Sequence, residues 1–471
     1  MTELTYDLAV LGTGSGGEVV AAEVARAGGT VVAVDAGRVG GECPYVACVP
    51  SKALLLAARE HVLIGGEHAK AFAKAVRRRD AAARERDDSG AVRRLQDEGV
   101  QVVRGRGLLE GRAGGRADAD LVVVVGERRL RASAVVVGTG SEPVRPPIEG
   151  LDDVPTWTSE QALSSLERPK RLAILGGGAV GCELAQVYAS FGTGVVLLEA
   201  APRLLAGEPG FVGERLAAAL RELGVDVRLG AKVTSAGRHG GRVRLQLDGE
   251  AGVIVDRVLV ATGRRPRSAD LGLETVGVRP GDTGALAVDA RCRVLASDAS
   301  PVAGLFAVGD VTGIAPYTHT ATYQGRIVAA HLLGGGRDAD YSGVPRAVYT
   351  HPAVFGVGES AEAARARGVH ALVEGVELAD TARGFLAGAA GGRLELVVDA
   401  STGALLGASA IGPDADSWMG ELALAVRARL DVRLLADQVH AFPAWSEAIQ
   451  PVAARLGARV DSQGDHAIGP A

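Results

Sequence analysis

Short apolar runs alternate with helical patterns through most of the chain. YDLAVL (Tyr6–Leu11) reads as a strand and runs into Gly12-Thr-Gly14-Ser-Gly-Gly17. The Ala-rich pattern EVVAAEVARAGG follows with helical spacing, and TVVAVD, ending at Asp35, reads as the next strand. The same order returns as RLAIL, then Gly176-Gly-Gly178-Ala-Val-Gly181, the helical CELAQVYASFG and the strand VVLLE ending at Glu199. Between these segments, 52–98 predicts helices rich in Ala and Arg, and 100–137 predicts short strands (VQVVRG, LVVVVG, AVVVG). VRLQL and DRVLVATG predict strands after the second segment. From about 341 the pattern changes to strands (AVYT, LELVVDA, LLGASAI), a helix over SWMGELALAVRARL and a last helix near 446–456, which suggests a separate α+β domain.

The glycines give the two repeated segments a chemical meaning. In a strand–turn–helix–strand unit the first glycine makes the turn, and the second lets backbone approach a pyrophosphate. The third lets helix and strand pack closely, and an acid after the second strand binds a ribose hydroxyl. Two complete units predict two dinucleotides. A flavin enzyme reduced by a nicotinamide needs two, whereas a simple dehydrogenase needs one. Glu199 favours the free 2′-hydroxyl of NAD(H) over the 2′-phosphate of NADP(H), with Arg203 close enough in sequence to soften that preference.

Composition narrows the class. A chain of 471 residues exceeds one core, and 47% hydrophobic with 23% charged residues suits a globular protein. The net charge of −5 and the absence of a long basic cluster argue against nucleic acid as a partner. No apolar run approaches the ~18 residues of a membrane span, and the N-terminal residues lack the pattern of a signal peptide. The expectation is a cytoplasmic protein without a membrane partner. In a reducing cytosol a lasting disulfide is more often catalytic than structural.

Cys43 and Cys48, in GGECPYVACVPSKALLL, are two of only four cysteines. As zinc ligands they lack a second pair, so no metal is expected; the other readings are inert buried thiols or a redox pair. Residues five apart in a regular helix have α-carbons about 8–9 Å apart, whereas a disulfide tolerates about 4.4–6.8 Å. The backbone between them must therefore leave helical geometry, and Pro44 and Pro50 favour that departure. Lys52 is one of five lysines in an arginine-rich chain. Were a flavin to lie beside it, its ammonium would stabilise negative charge on the reduced ring. Glu183, read as lying where the second unit's helix begins, would be favoured by the helix dipole.

Taken together, GxGxxG, GGxCxxxxCxPSK, TGSxP (Thr139–Pro143), the second glycine unit with GCE, ATGRRP (Ala261–Pro266) and GLFAVGD (Gly304–Asp310) resemble the flavoprotein disulfide reductases. That group includes dihydrolipoamide dehydrogenase, glutathione reductase and mercuric reductase, and the likeness runs from Tyr6 to about Gln450. The resemblance implies an α/β fold with two Rossmann-like dinucleotide-binding domains and a C-terminal α+β dimerisation domain. It implies an FAD-binding domain over 1–145 and 264–340, an NAD(P)-binding domain over 146–263, a dimerisation domain over 341–471, and a homodimer. Gly12, Gly14, Gly17, Asp35, Gly41, Lys52, Thr139, Gly140, Gly309, Asp310 and Thr318 would serve FAD. Gly176, Gly178, Gly181, Glu199, Val233 and Gly263 would serve NAD(H). Lys52 would pair with Glu183 beside the flavin. Cys43 would be the interchange thiol that attacks substrate, and Cys48 the charge-transfer thiol.

The family's C-terminal signature, His-Pro-Thr-x-x-Glu, supplies a general acid/base across the dimer interface. Here the segment reads Val439-His440-Ala441-Phe442-Pro443-Ala444-Trp445-Ser446-Glu447, so Pro443 and Glu447 fix the register and Phe442 takes the acid/base position. The motif around the thiols also departs from the family, with Pro44-Tyr45 and Ala47 in place of Leu-Asn and Gly. His440 is the candidate substitute base; Glu447 matches the acid that orients the family's base and is expected to remain as a structural hydrogen-bond acceptor. Three functional readings follow. The first is an FAD-dependent NAD(P)H oxidoreductase acting through Cys43/Cys48 on a small-molecule acceptor, such as the disulfide lipoamide. The second is a quinone-type NAD(P)H:acceptor oxidoreductase without dithiol exchange, and the third an FAD-binding redox sensor with little turnover.

Overall fold

The computed structural model describes residues 4–116, 119–249, 251–388 and 391–466. The chain divides into two compact units. One gathers Met1–Ala53, Val76–Arg145 and Gly263–Asp340; the other gathers Leu54–Ala75, Pro146–Thr262 and Tyr341–Ala471.

The first unit is built on a sheet whose order is Arg293–Leu295, Pro301–Ala307, Arg128–Val137, Leu4–Leu11, Val31–Asp35, Val100–Arg104. All neighbours along this path are parallel except the first pair. Alternation along the central strand decides its two faces: Ala9 and Leu11 enter one core with Val32, Val34, Val135 and Val137. Leu8 and Val10 enter the other with Val31, Ala33, Val136 and the helix residues Val20 and Val24. The central strand pairs with Val31–Asp35 on one side and Arg128–Val137 on the other. Its carboxyl end is therefore a topological switch point, where open α/β sheets bind ligands. The helix Ser15–Arg26 starts there.

The second unit repeats the plan around Arg171–Leu175, in the all-parallel order Asp226–Leu229, Gly194–Glu199, Arg171–Leu175, Arg257–Val260, Thr156–Trp157. The helix Ala179–Ser190 leaves its switch point. A three-stranded antiparallel sheet (Val233–His239, Arg242–Leu247, Val253–Val255) packs on the same core. The C-terminal part is a five-stranded antiparallel sheet in the order Arg346–Val348, Ala353–Gly358, Leu405–Gly412, Arg393–Asp399, Ala371–Glu377. Its buried face meets Leu422, Ala425, Ile449, Val452 and Leu456 of two helices. The architecture is thus α/β, with two Rossmann-like sheets and a C-terminal α+β part.

Local detail departs from the periodicity in several places. The single helix expected over SWMGELALAVRARL breaks into Ala415–Trp418 and Gly420–Ala428, and Arg429, at φ 50°, ends the second. The last helix runs Ile449–His466, longer than expected and preceded by a 3-10 turn at Trp445–Ala448. The strands Ala353–Gly358 and Ala371–Glu377 carry interior glycines that dilute the strand signal.

Close packing at the third glycine of each turn leaves no room for a side chain. A methyl on Gly17 would stand 2.1 Å from the backbone oxygen of Gly12, and one on Gly181 would stand 1.9 Å from that of Gly176. Gly17→Ala is expected to destabilise the protein by about 1–3 kcal/mol, the usual cost of overpacking, read as a fall in the denaturant midpoint.

Candidate active site

Cys48 is the first residue of the helix Cys48–Ile64, and Cys43 lies in the non-helical turn before it. The departure from helical geometry required for a five-residue spacing occurs there. The amides of Tyr45 and Val46 both reach the carbonyl of Glu42, and Val49 N donates back to the carbonyl of Cys43. Pro50 sits in the helix's first turn, where a missing amide donor costs nothing. The two cysteines form no disulfide in this structure, are partly buried and lie within hydrogen-bond reach of each other. Thr318, first residue of the helix Thr318–Leu332, places Oγ1 3.4 Å from Cys48 Sγ. The thiol of Cys43 is pushed well above its ordinary range, first by sharing a hydrogen bond with Cys48, then by burial and by the charge of Cys48. Thr318 and the Lys52 ammonium act in the opposite sense. Such a pair gives up its first proton far more readily than its second.

The first glycine cradle adjoins this turn. Gly41 has φ +75°, and a methyl there would lie 2.8 Å from the α-carbon of Gly14, so only glycine lets the two loops meet. Gly14 caps the helix Ser15–Arg26 with no side-chain hydrogen bond. Asp35 accepts from Thr13 N at 2.7 Å and Gly37 N at 2.7 Å. Gly309 N donates to Gln324 Oε1, and Asp310 Oδ2 accepts from Ser141 Oγ. Thr139 Oγ1 donates to Arg267 O, and Gly140 turns the chain into the strand Ser141–Pro143, which pairs antiparallel with Arg264–Pro266. Gly263 O accepts from Val144 N beside that ribbon. The first unit thus brings together Cys43, Cys48, Lys52, Thr318, Asp310 and the first glycine loop.

The second unit holds Gly176, Gly178, Gly181, Glu183, Glu199 and Val233. Gly178 caps its helix without a side-chain bond and has open space beside it. Glu199 accepts from Gly177 N through Oε2 and from Ala201 N through Oε1, so backbone amides fix the carboxylate at the strand end. Val233 opens the strand Val233–His239. Glu183 corrects one expectation: the first turn of the helix Ala179–Ser190 contains no acid and Glu183 lies past it, so the dipole argument does not apply. It is buried, and Oε1 accepts from Tyr349 N at 3.0 Å. Of the remaining cysteines, Cys182 is buried with Sγ directed at Gly177 O, burial pushing its thiol up, and Cys292 is fully buried.

In the C-terminal segment Phe442 is 78% exposed. His440 is turned inward, its side chain 7% exposed and Nε2 3.3 Å from Glu421 Oε2. Its Nδ1 is buried without a hydrogen-bond partner among the described residues. Glu447 accepts from Arg383 N at 2.9 Å and from Ala444 N at 3.3 Å, so both its oxygens serve backbone amides. The Arg383 guanidinium stacks over Trp445.

The model of the pyridine nucleotide-disulphide oxidoreductases matches residues 6–325, and that of their dimerisation domain matches residues 344–453. The chain belongs to the pyridine nucleotide-disulphide oxidoreductase family. It is 35% identical to a dihydrolipoyl dehydrogenase of Thermus scotoductus over 462 residues, covering 96% of this chain and 97% of that protein. It is 30% identical to a mercuric reductase of Acidithiobacillus ferrooxidans, covering 94% of this chain and 81% of that one. Among solved structures it resembles the HOCl-induced flavoprotein disulfide reductase RclA of Escherichia coli, with a TM-score of 0.83, 29% identity and coverage of 95% and 99%. LpdA of Mycobacterium tuberculosis gives 0.82 and 27%, covering 97% and 100%. Members of this oxidoreductase family bind FAD and use a pyridine nucleotide. The residues present fit both groups, because each glycine turn offers uncapped helix amides to a phosphate and an acid to a ribose. Among the described residues no cluster of three or more metal ligands occurs, and no helix is long and apolar enough to cross a membrane.

Sequence reading missed the contact between Thr318 and Cys48, since 270 positions separate them and no local pattern marks it. In the reduced protein, Cys48→Ala removes the first cause of the upward push on Cys43. The pH midpoint for alkylation of Cys43 by iodoacetamide is therefore expected to fall relative to the wild type. An unchanged midpoint would show that the two thiols do not share a proton.

Proposed function

We propose that the chain takes electrons from NADH and passes them through FAD and the Cys43/Cys48 disulfide to a small-molecule acceptor, working as a homodimer. The observation that carries this reading is the pair of thiols in mutual contact at a turn–helix junction, against the first glycine loop. FAD, when bound, accepts a hydride and returns electrons to a disulfide. We assign its site to 1–145 and 264–340, the NAD(H) site to 146–263 and the dimer contact to 341–471. The backbone amides that hold the Glu199 carboxylate support NAD(H) over NADP(H), because its charge repels a 2′-phosphate. The match to the dimerisation domain supports the homodimer.

For a disulfide acceptor such as lipoamide, the Cys43 thiolate attacks one acceptor sulfur, and the acceptor S–S bond breaks. The first leaving thiolate takes up a proton. Cys48 then attacks Cys43, which closes the protein disulfide and releases the second thiolate. Phe442 cannot supply the proton, and His440 is turned inward. Loss of a general acid/base costs roughly 10²–10⁴-fold. That supports a second reading, in which a quinone-type acceptor, needing no protonated leaving thiolate, is reduced faster than any disulfide.

An acceptor panel of lipoamide, glutathione disulfide and a quinone separates these readings. Phe442→His is expected to raise disulfide reduction at least tenfold while leaving quinone reduction within twofold. Equal response of both acceptors would overturn the assignment of position 442. Quinone turnover that survives loss of both cysteines would favour the second reading.

A further inference from the structure

Glu42 immediately precedes the first thiol and makes two ion pairs. Its Oε2 accepts from Arg264 Nη2 at 2.6 Å and its Oε1 from Arg267 Nη2 at 3.0 Å. Arg264 also donates from Nε to Ser141 Oγ and from Nη2 to Ser141 O, both at 2.8 Å. Ser141 is buried and donates to Asp310 Oδ2. These links form one continuous chain within the first unit, from the cysteine turn through the ribbon of Ser141–Pro143 and Arg264–Pro266 to the loop at Gly309–Thr312. The backbone of Glu42 holds the turn as well, since its carbonyl accepts from Tyr45 N and Val46 N. Cys48 is fixed by the helix it begins, whereas Cys43 lies in irregular backbone. The side chain next to it is the one clamped by two guanidinium groups.

We propose that Glu42 is a positioning residue for the redox pair. Its clamp to Arg264 and Arg267 holds Cys43 within reach of Cys48, and so sets how readily the disulfide forms. A carboxylate held bidentate by two arginines fixes both the position and the direction of the turn's entry. Holding two thiols close raises their effective concentration, which favours the disulfide. Releasing one end lowers it, making the pair easier to reduce. This inference rests on the reading of Cys43 and Cys48 as a redox pair.

The test equilibrates purified protein with mixtures of reduced and oxidised dithiothreitol, traps free thiols by alkylation and reads the oxidised fraction by mass. The exchange balances: one protein disulfide and one dithiothreitol give a protein dithiol and oxidised dithiothreitol. Glu42→Gln is expected to shift the equilibrium towards the protein dithiol by about threefold to tenfold, the upper figure being about 30 mV for a two-electron couple. Arg264→Gln shifts it in the same direction, and the double variant adds little to either single change. Glu42→Asp keeps the charge and retains part of the wild-type equilibrium, so the proposal stays testable where Glu42→Gln folds poorly. Arg291→Gln, which breaks the exposed pair with Asp338 in the same unit, leaves the equilibrium unchanged. A wild-type equilibrium in Glu42→Gln, additive shifts in the double variant, or an equal shift in Arg291→Gln would overturn the proposal. A wild-type protein that forms no disulfide under any ratio would instead overturn the redox reading beneath it.

Discussion

Backbone lies directly against backbone at the carboxyl end of the central strand, and the site depends on that contact. A methyl on Gly12 would stand 2.4 Å from the carbonyl oxygen of Gly138, while Gly17 leans on Gly12 and Gly41 on Gly14. Three loops from distant parts of the chain thereby converge where the sheet's strand order changes direction. The first opens a helix with unspent amide donors, and another delivers the cysteine turn. Side chains at any of these positions would separate elements whose value lies in their proximity.

Electrostatics then differentiates two chemically identical thiols. Cys48 starts a helix and meets the hydroxyl of Thr318, while Cys43 sits in irregular backbone and is pushed upward by its neighbour. Contact between them makes the pair, rather than either residue, the unit that titrates. Glu42 adds a third influence through geometry, since its carboxylate ties the Cys43 side of the turn to Arg264 and Arg267.

The C-terminal segment keeps the family's frame but changes its chemistry. Glu447 accepts backbone amides on both oxygens and so braces the loop. Phe442 presents a hydrocarbon surface where the relatives' signature carries a base, and His440 points inward towards Glu421. Under the proposed reading, the thiols that would pass electrons and the position that would pass a proton are no longer matched, which bears on the choice of acceptor.

Both sheets with their glycine turns were legible in the sequence because their determinants are local: an apolar run, a tight turn and a helical period follow one another within about thirty residues. The cysteine pair and the irregular backbone between its members were legible too, since helix and disulfide dimensions conflict at a spacing of five. The strands Ala353–Gly358 and Ala371–Glu377 were not, because interior glycines weaken the pattern that marks a strand. Nor were Thr318 against Cys48, Glu42 between two arginines, the inward turn of His440 or the burial of Glu183 beyond its helix's first turn. Each joins residues distant in sequence or depends on the direction of one side chain. Sequence by itself determined the two glycine-turn units and the irregular turn between the cysteines, because turn sterics and periodicity act over a few residues. Only the tertiary structure decided which groups meet, because those contacts exist once packing has brought separate loops together.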